Sequence, residues 1–253
     1  MKFLSISSGS KGNASFIETG DIKALIDVGV SYTEIKHALK DIGVSLSMIT
    51  HVFITHEHTD HIKGLKMLLK HHQPLVYLTE GTNDQLNIKN AHIIKGLEAV
   101  IIDGLSVLPI PLSHDAKEPV GFIFKANDKS ICYLTDTGYL INDLIPLLEN
   151  HDLYYLEFNH DPYTLMHSRR PYYIIRRIMN EKGHLSNEDA AYYYALLQGD
   201  KTKYLIHAHI SEDCNSETLI NETFYLVLHA QGVIKMPKRF FAKQNQALEL
   251  IIL

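Results

Sequence analysis

The segment His56-Glu57-His58-Thr59-Asp60-His61 gathers three imidazoles and a flanking carboxylate within six residues. Two histidines separated by one residue point the same way from extended backbone, so His56 and His58 can reach one metal ion. If the chain turns next, Asp60 and His61 address a neighbouring position. A carboxylate and an imidazole there suit a second ion of the zinc or manganese class. The competing reading is a solvated, histidine-rich turn, and the rarity of this spacing disfavours it.

Four residues do not close two metal sites, so the remaining ligands must come from other strand ends. His114 in Pro111-Leu112-Ser113-His114-Asp115 can complete the first site. Asp136 in Leu134-Thr135-Asp136-Thr137-Gly138 carries two oxygens and can bridge both ions. A late histidine, His209 or its near neighbour His207, can finish the second site. Asp27, near the end of a strand, reads as an acceptor that braces the histidine segment rather than as a ligand.

Two divalent ions about 3.5–4 Å apart can share a hydroxide and stabilise charge on a phosphoryl group. Asp136 would bridge them and orient that hydroxide. The chain offers no Ser-His-Asp or Cys-His arrangement as an alternative nucleophile, and it contains only two cysteines.

The elements that must position these residues follow from periodicity. Phe3–Ser7, Ala14–Glu18, Lys23–Val28 and Met48–Thr55 read as strands. Leu105–Leu112, Gly121–Lys125, Ser130–Leu134, Leu153–Phe158, Tyr204–Ile206 and Ala247–Leu253 do too. Helical spacing covers Tyr32–Ile42, His61–His71, Leu140–Leu148, Pro171–Glu181, Ser186–Leu197 and Ser216–Ala230. Strand-rich halves each closed by helices predict an α/β fold, an αββα sandwich of two face-to-face sheets. With 253 residues and no linker or repeat, the expectation is one domain spanning residues 1–253.

Composition narrows the class. No signal peptide or membrane span is expected, and with so few cysteines a cytoplasmic protein is. The net charge of −5 argues against a broadly basic nucleic-acid surface. Two bound cations would offset that charge locally. Four of the five arginines, Arg169, Arg170, Arg176 and Arg177, also fall in one stretch with Tyr172 and Tyr173. On a helix these form a phosphate-tracking and base-stacking face, or else a solvated arginine face over tyrosines in the core.

The metal segment, with Ser113-His114-Asp115, Thr135-Asp136-Thr137-Gly138 and His209, resembles the metallo-β-lactamase superfamily. Ser8-Gly9-Ser10-Lys11-Gly12-Asn13, Glu157-Phe158-Asn159-His160-Asp161 and Gly183-His184-Leu185-Ser186-Asn187-Glu188-Asp189-Ala190 are similar to its YycJ/WalJ (VicX) branch. The resemblance runs from the first strand to at least Asn215 and implies the metallo-β-lactamase fold. It implies a cytoplasmic, metal-dependent phosphodiesterase, a 5′-to-3′ exonuclease on DNA linked to mismatch repair. It also implies His56, His58 and His114 on one ion, Asp60, His61 and His209 on the other, and Asp136 between them.

By the same resemblance His184 contacts the scissile phosphate or the leaving oxygen, against a reading as a histidine bonded to backbone at a helix start. The loop from Ser8 to Asn13, with Ser10 and Asn13, is suited to cradling phosphate, or is an ordinary hairpin turn. Asn159 and His160 read equally as substrate contacts and as structural hydrogen bonders. Two further functions remain in play. One is a small-molecule hydrolase acting on a thioester, lactone or cyclic phosphodiester. The other is a non-catalytic regulatory partner of a cell-wall two-component system, which the complete ligand set disfavours.

Overall fold

A computed structural model describes residues 1–253, which divide into two compact units. The first comprises Met1–Pro111, Ala116–Lys129 and Ala242–Leu253, and the second Leu112–Asp115 and Ser130–Phe241. In chain order the elements begin β1 (Lys2–Ser7), β2 (Ala14–Thr19), β3 (Ile22–Ile26), α1 (Tyr32–Asp41) and β4 (His51–Phe53). Next come α2 (Thr59–Ile62), α3 (Leu65–His71), β5 (Leu75–Thr79), α4 (Glu80–Leu86), β6 (His92–Ile94), β7 (Val100–Ile102), β8 (Leu105–Pro111) and β9 (Val120–Ala126). The remainder is β10 (Lys129–Leu134), α5 (Ile145–Leu148), β11 (Leu153–Glu157), α6 (Pro162–Met166), α7 (Tyr172–Met179), α8 (Asn187–Leu197), β12 (Tyr204–Ala208), α9 (Glu217–Ala230), β13 (Lys238–Phe241) and β14 (Ile251–Ile252). No helix is long and apolar enough to cross a membrane.

The first unit is built on a mixed sheet in the order β14-β1-β2-β3-β4-β5-β6. Hairpins join β1 to β2 and β2 to β3 antiparallel, whereas β3, β4, β5 and β6 run parallel. Parallel neighbours need crossovers, which α1, α2, α3 and α4 supply. A capping box starts α1: Ser31 Oγ accepts from the Glu34 amide, and Glu34 Oε2 accepts from the Ser31 amide. The helix then buries Ile35 and Leu39 against Leu4, Phe16, Leu25, Val52 and Leu78. The antiparallel run β7-β8-β9 completes this unit.

In the second unit β10, β11, β12 and β13 are all parallel. Its strands are buried throughout β11 and nearly so in β10 and β12, as expected for parallel strands with both faces covered. Ser186 caps α8 by accepting from the Asp189 amide, and Ser216 caps α9 through the Leu219 amide.

Three expected elements are cut short, each for a local reason. The helix expected over His61–His71 breaks into α2 and α3 at Gly64. A Cβ there would lie 2.3 Å from the Val30 carbonyl oxygen, so the chain turns where only glycine fits. The strand expected over Met48–Thr55 keeps only His51–Phe53, because Ser45 Oγ draws the Ser47 amide into a 3₁₀ turn over Leu46–Met48. The C-terminal strand shrinks to two residues, paired with Lys2 and Phe3 at the sheet edge.

Candidate metal centre

In the first unit the strand β4 runs out at Phe53, and Thr55 begins the ligand segment. Thr55 donates to the carboxylate of Asp27 from both its amide, at 2.8 Å, and its hydroxyl, at 2.9 Å. His61 Nδ1 lies 2.8 Å from Asp27 Oδ2, and neither side chain is exposed. His56 Nδ1 lies 3.0 Å from Thr55 Oγ1. With the hydroxyl proton committed to Asp27, that contact makes Nδ1 of His56 the donor. One buried carboxylate therefore orients two imidazoles, directly for His61 and through Thr55 for His56. Burial raises the Asp27 carboxyl, opposed by the charge and hydrogen bonds of His61 and Thr55.

An engaged Nδ1 selects Nε2 as the ligating nitrogen. His56 Nε2 lies 3.0 Å from His58 Nδ1, with the rings edge to face. His61 Nε2 lies 3.6 Å from Asp60 Oδ2. Asn13, fully buried, reaches both: its amide nitrogen is 3.1 Å from His61 Nε2 and 3.3 Å from Asp60 Oδ2. Its Oδ1 accepts from the Gly9 amide, which closes the Ser8–Asn13 loop on itself. Gln244 holds that loop from outside through the Lys11 amide, and Ser10 is exposed at its tip.

The second unit carries a second set. His114, Asp136 and His209 follow β8, β10 and β12 respectively. Asp136 Oδ1 is central: 3.4 Å from His209 Nε2, 3.9 Å from His114 Nε2 and 3.8 Å from His184 Nδ1. The Nδ1 of each ring is held by protein. His114 Nδ1 lies 3.2 Å from the Gly183 carbonyl oxygen. His209 Nδ1 lies 3.0 Å from Glu157 Oε1, and His184 Nδ1 lies 2.8 Å from the same oxygen. Burial lowers the His114 pKa, opposed first by Asp136, so its imidazole is biased toward the neutral form that binds metal.

Glu157 carries no role in the sequence-based expectations beyond membership of a motif. It ends β11 fully buried, and its other oxygen, Oε2, accepts from the Thr137 amide at 3.0 Å. Burial alone would raise its pKa, but the neighbouring His184 and His209 overcome that and hold it well below the usual carboxylate range. Asp136, Glu157, His184 and His209 together place one ligand-type atom each within 4.8 Å of one another. Asn159, also buried, lies with its amide nitrogen 3.0 Å from both the Nδ1 and the carbonyl oxygen of His209. His160 is buried, and its Nδ1 has no hydrogen-bond partner.

The two late histidines part company. His207 is fully buried, its Nε2 accepting from Arg239 Nε at 2.9 Å and its ring stacked on Phe241. His209 instead sits beside Asp136. Asp27, Asp136 and His209 share one further property: each has left-handed backbone, with φ of 58°, 59° and 50°. Non-glycine residues adopt it at a cost of about 1–3 kcal/mol, and such strain gathers at functional positions.

The arginine stretch is divided. Arg170 pairs with Asp213 at 3.1 Å and Arg177 with Asp115. Arg169 and Arg176 are exposed, and so are Tyr172 and Tyr173, which therefore are not core residues.

The donors suit a pair of divalent ions of the zinc or manganese class, with imidazole and carboxylate ligands oriented by protein acceptors. Comparison with known proteins agrees. Residues 24–208 match the Beta-lactamase superfamily domain. The exodeoxyribonuclease YycJ of Bacillus anthracis is 32% identical over 244 residues, 92% of this chain and 90% of its own length. The exodeoxyribonuclease WalJ of Streptococcus pneumoniae is 32% identical over 231 residues, covering 88% of this chain and 86% of that protein. Among solved structures, the metallo-β-lactamase fold protein YhfI of Bacillus subtilis superposes with a TM-score of 0.75 over 98% of both chains at 15% identity. The expected α/β sandwich with mixed sheets is thus the metallo-β-lactamase fold. The chain belongs to the metallo-β-lactamase superfamily, as a metal-dependent hydrolase related to YycJ and WalJ.

Proposed function

We propose that this protein is a phosphodiesterase acting as a 5′-to-3′ exonuclease on DNA, in the cytoplasm and in the service of mismatch repair. The observation that carries the reading is Asp136 ringed by three imidazoles, two of which share one oxygen of Glu157. Its kinship with two exodeoxyribonucleases supplies the substrate class.

In this reading His56, His58 and His114 hold one ion, Asp60, His61 and His209 the other, and Asp136 both. Residues 1–253 then act as one domain, which fits a chain that passes between the two units four times along its length. The pair of ions, when bound, supplies a water of lowered pKa and Lewis-acid stabilisation of phosphoryl oxygens. The chain's own residues do the rest. Asp27 and Glu157 fix the imidazoles, so the ligand geometry is set before substrate arrives. His184, one-fifth exposed, presents its ring beside that of His209 and offers a proton toward the departing oxygen.

The test is a product ladder from end-labelled DNA and RNA, single- and double-stranded, together with metal analysis. Two ions per chain and stepwise loss of nucleotides from the 5′ end are expected. Turnover of small thioesters or lactones with intact DNA would overturn the nuclease reading. No more than one tightly held ion would overturn the ligand assignment. Asp136→Ala should disturb both ions, and His114→Ala mainly one.

A further inference from the structure

Three exposed tyrosines stand close in sequence around the arginine stretch. Tyr172 and Tyr173 open α7 with 68% and 71% of their surfaces exposed, and Tyr163 on α6 is 73% exposed. Beside α6 and the turn that leads into α7 lies an open groove of about 760 Å³ lined by Tyr163, His167, Arg169, Arg170 and Asp213. Of the four arginines here, Arg170 and Arg177 are committed to carboxylates, whereas Arg169 and Arg176 make no ion pair.

The helix is also coupled to the metal ligands of its own unit. Arg177 bonds Asp115, whose other oxygen lies 3.4 Å from His114 Nε2. Beyond α7 the chain turns tightly through Gly183, where a Cβ would lie 2.1 Å from the Ile178 carbonyl oxygen. That turn delivers His184, whose amide donates to the same carbonyl. A strand resting on α7 therefore lies against an element that leads into His184 and touches the neighbour of His114.

We propose that α6 and α7 form a single-strand platform, on which unpaired bases stack on Tyr172, Tyr173 and Tyr163 while Arg169 and Arg176 contact the phosphates. Stacking on exposed rings requires unpaired bases and tolerates any sequence. The platform accordingly recognises a single-stranded end or overhang rather than a duplex body. The inference rests on the nuclease reading for its ligand class, and it halves the number of phosphate-contacting arginines expected from the sequence.

The test is direct binding, measured by fluorescence anisotropy on metal-loaded protein with a hydrolysis-resistant phosphorothioate oligonucleotide, single-stranded or annealed. Stacking is worth about 1–3 kcal/mol per base, so Tyr172→Ala/Tyr173→Ala should weaken single-strand binding by about tenfold or more. Duplex affinity should change much less. Because both tyrosines are exposed, metal content and thermal midpoint should stay at wild-type values. Arg169→Ala/Arg176→Ala should flatten the log–log salt dependence by about 0.7 for each lost single-strand phosphate contact. Removing the carboxylate-paired arginines should flatten it less. Unchanged single-strand affinity in the tyrosine variant, or an equal loss on duplex, overturns the platform. The nuclease reading is judged separately on the wild-type ladder, so either proposal can fail alone.

Discussion

Glu157 Oε1 lies 2.8 Å from Nδ1 of His184, and no other acceptor lies as near to that nitrogen. The same oxygen serves His209 at 3.0 Å, while Oε2 takes the Thr137 amide. Every hydrogen-bond partner of this carboxylate is thus a donor. In Glu157→Gln the side-chain NH₂ must face either the imidazoles or the Thr137 amide, donor against donor. Misoriented ligands of this kind typically cost about 10–100-fold in metal affinity or activity. Metal retained after dialysis against a chelator measures it, and wild-type retention would remove Glu157 from the centre.

His184 is separable from the ligands by kinetics. If it acts on the departing oxygen, His184→Ala should keep both ions and lose about 10²–10³ in rate, with kcat and kcat/KM falling together. Loss of an ion in this variant would move His184 into the ligand set. Full exonuclease activity would return it to a structural role.

Asp27 acts at one remove. Asp27→Asn keeps the volume but places an NH₂ where His61 Nδ1 and Thr55 now donate. The expected result is a drop of about 10–100-fold in affinity for the ion held by His61. Competition with a chromogenic chelator reads this directly, and unchanged affinity would refute the bracing role.

Stability should fall in mild acid even without metal chemistry. Burial lowers the pKa of His160 to about 4 and that of His207 well below the usual imidazole range, the latter with help from Arg239. Both are depressed in the folded state, so below about pH 6.5 the unfolded chain takes up protons that the folded chain refuses. The stability they contribute is therefore complete above that pH and is lost progressively as pH falls toward 4. For His160 the shift corresponds to about 3 kcal/mol. Urea midpoints between pH 7 and 4 should show the decline, and His207→Gln, which keeps an acceptor for Arg239, should flatten it.

Much of the centre was legible because metal ligands follow strand ends, and strand ends show in hydrophobic patterning. That logic located His114 after β8, Asp136 after β10 and His209 after β12. It could not separate His207 from His209, since alternation puts residues two apart on one face. The left-handed turn at His209 breaks that parity, and no propensity announces it. Glu157 was opaque for another reason: at the end of a buried strand it has no local pattern, and its partners lie 20 and more residues away in sequence. The break at Gly64 and the exposure of Tyr172 and Tyr173 depend on what packs nearby, which periodicity does not carry.

The left-handed backbone at Asp27, Asp136 and His209 is a strain that the buried contacts of each side chain offset. Glycine adopts that conformation without strain, but glycine at any of the three would empty a buried side-chain position and remove the contacts made there. A library of variants sorted only for resistance to heat should therefore keep these three residues rather than drift to glycine. Variants sorted for turnover should keep them too.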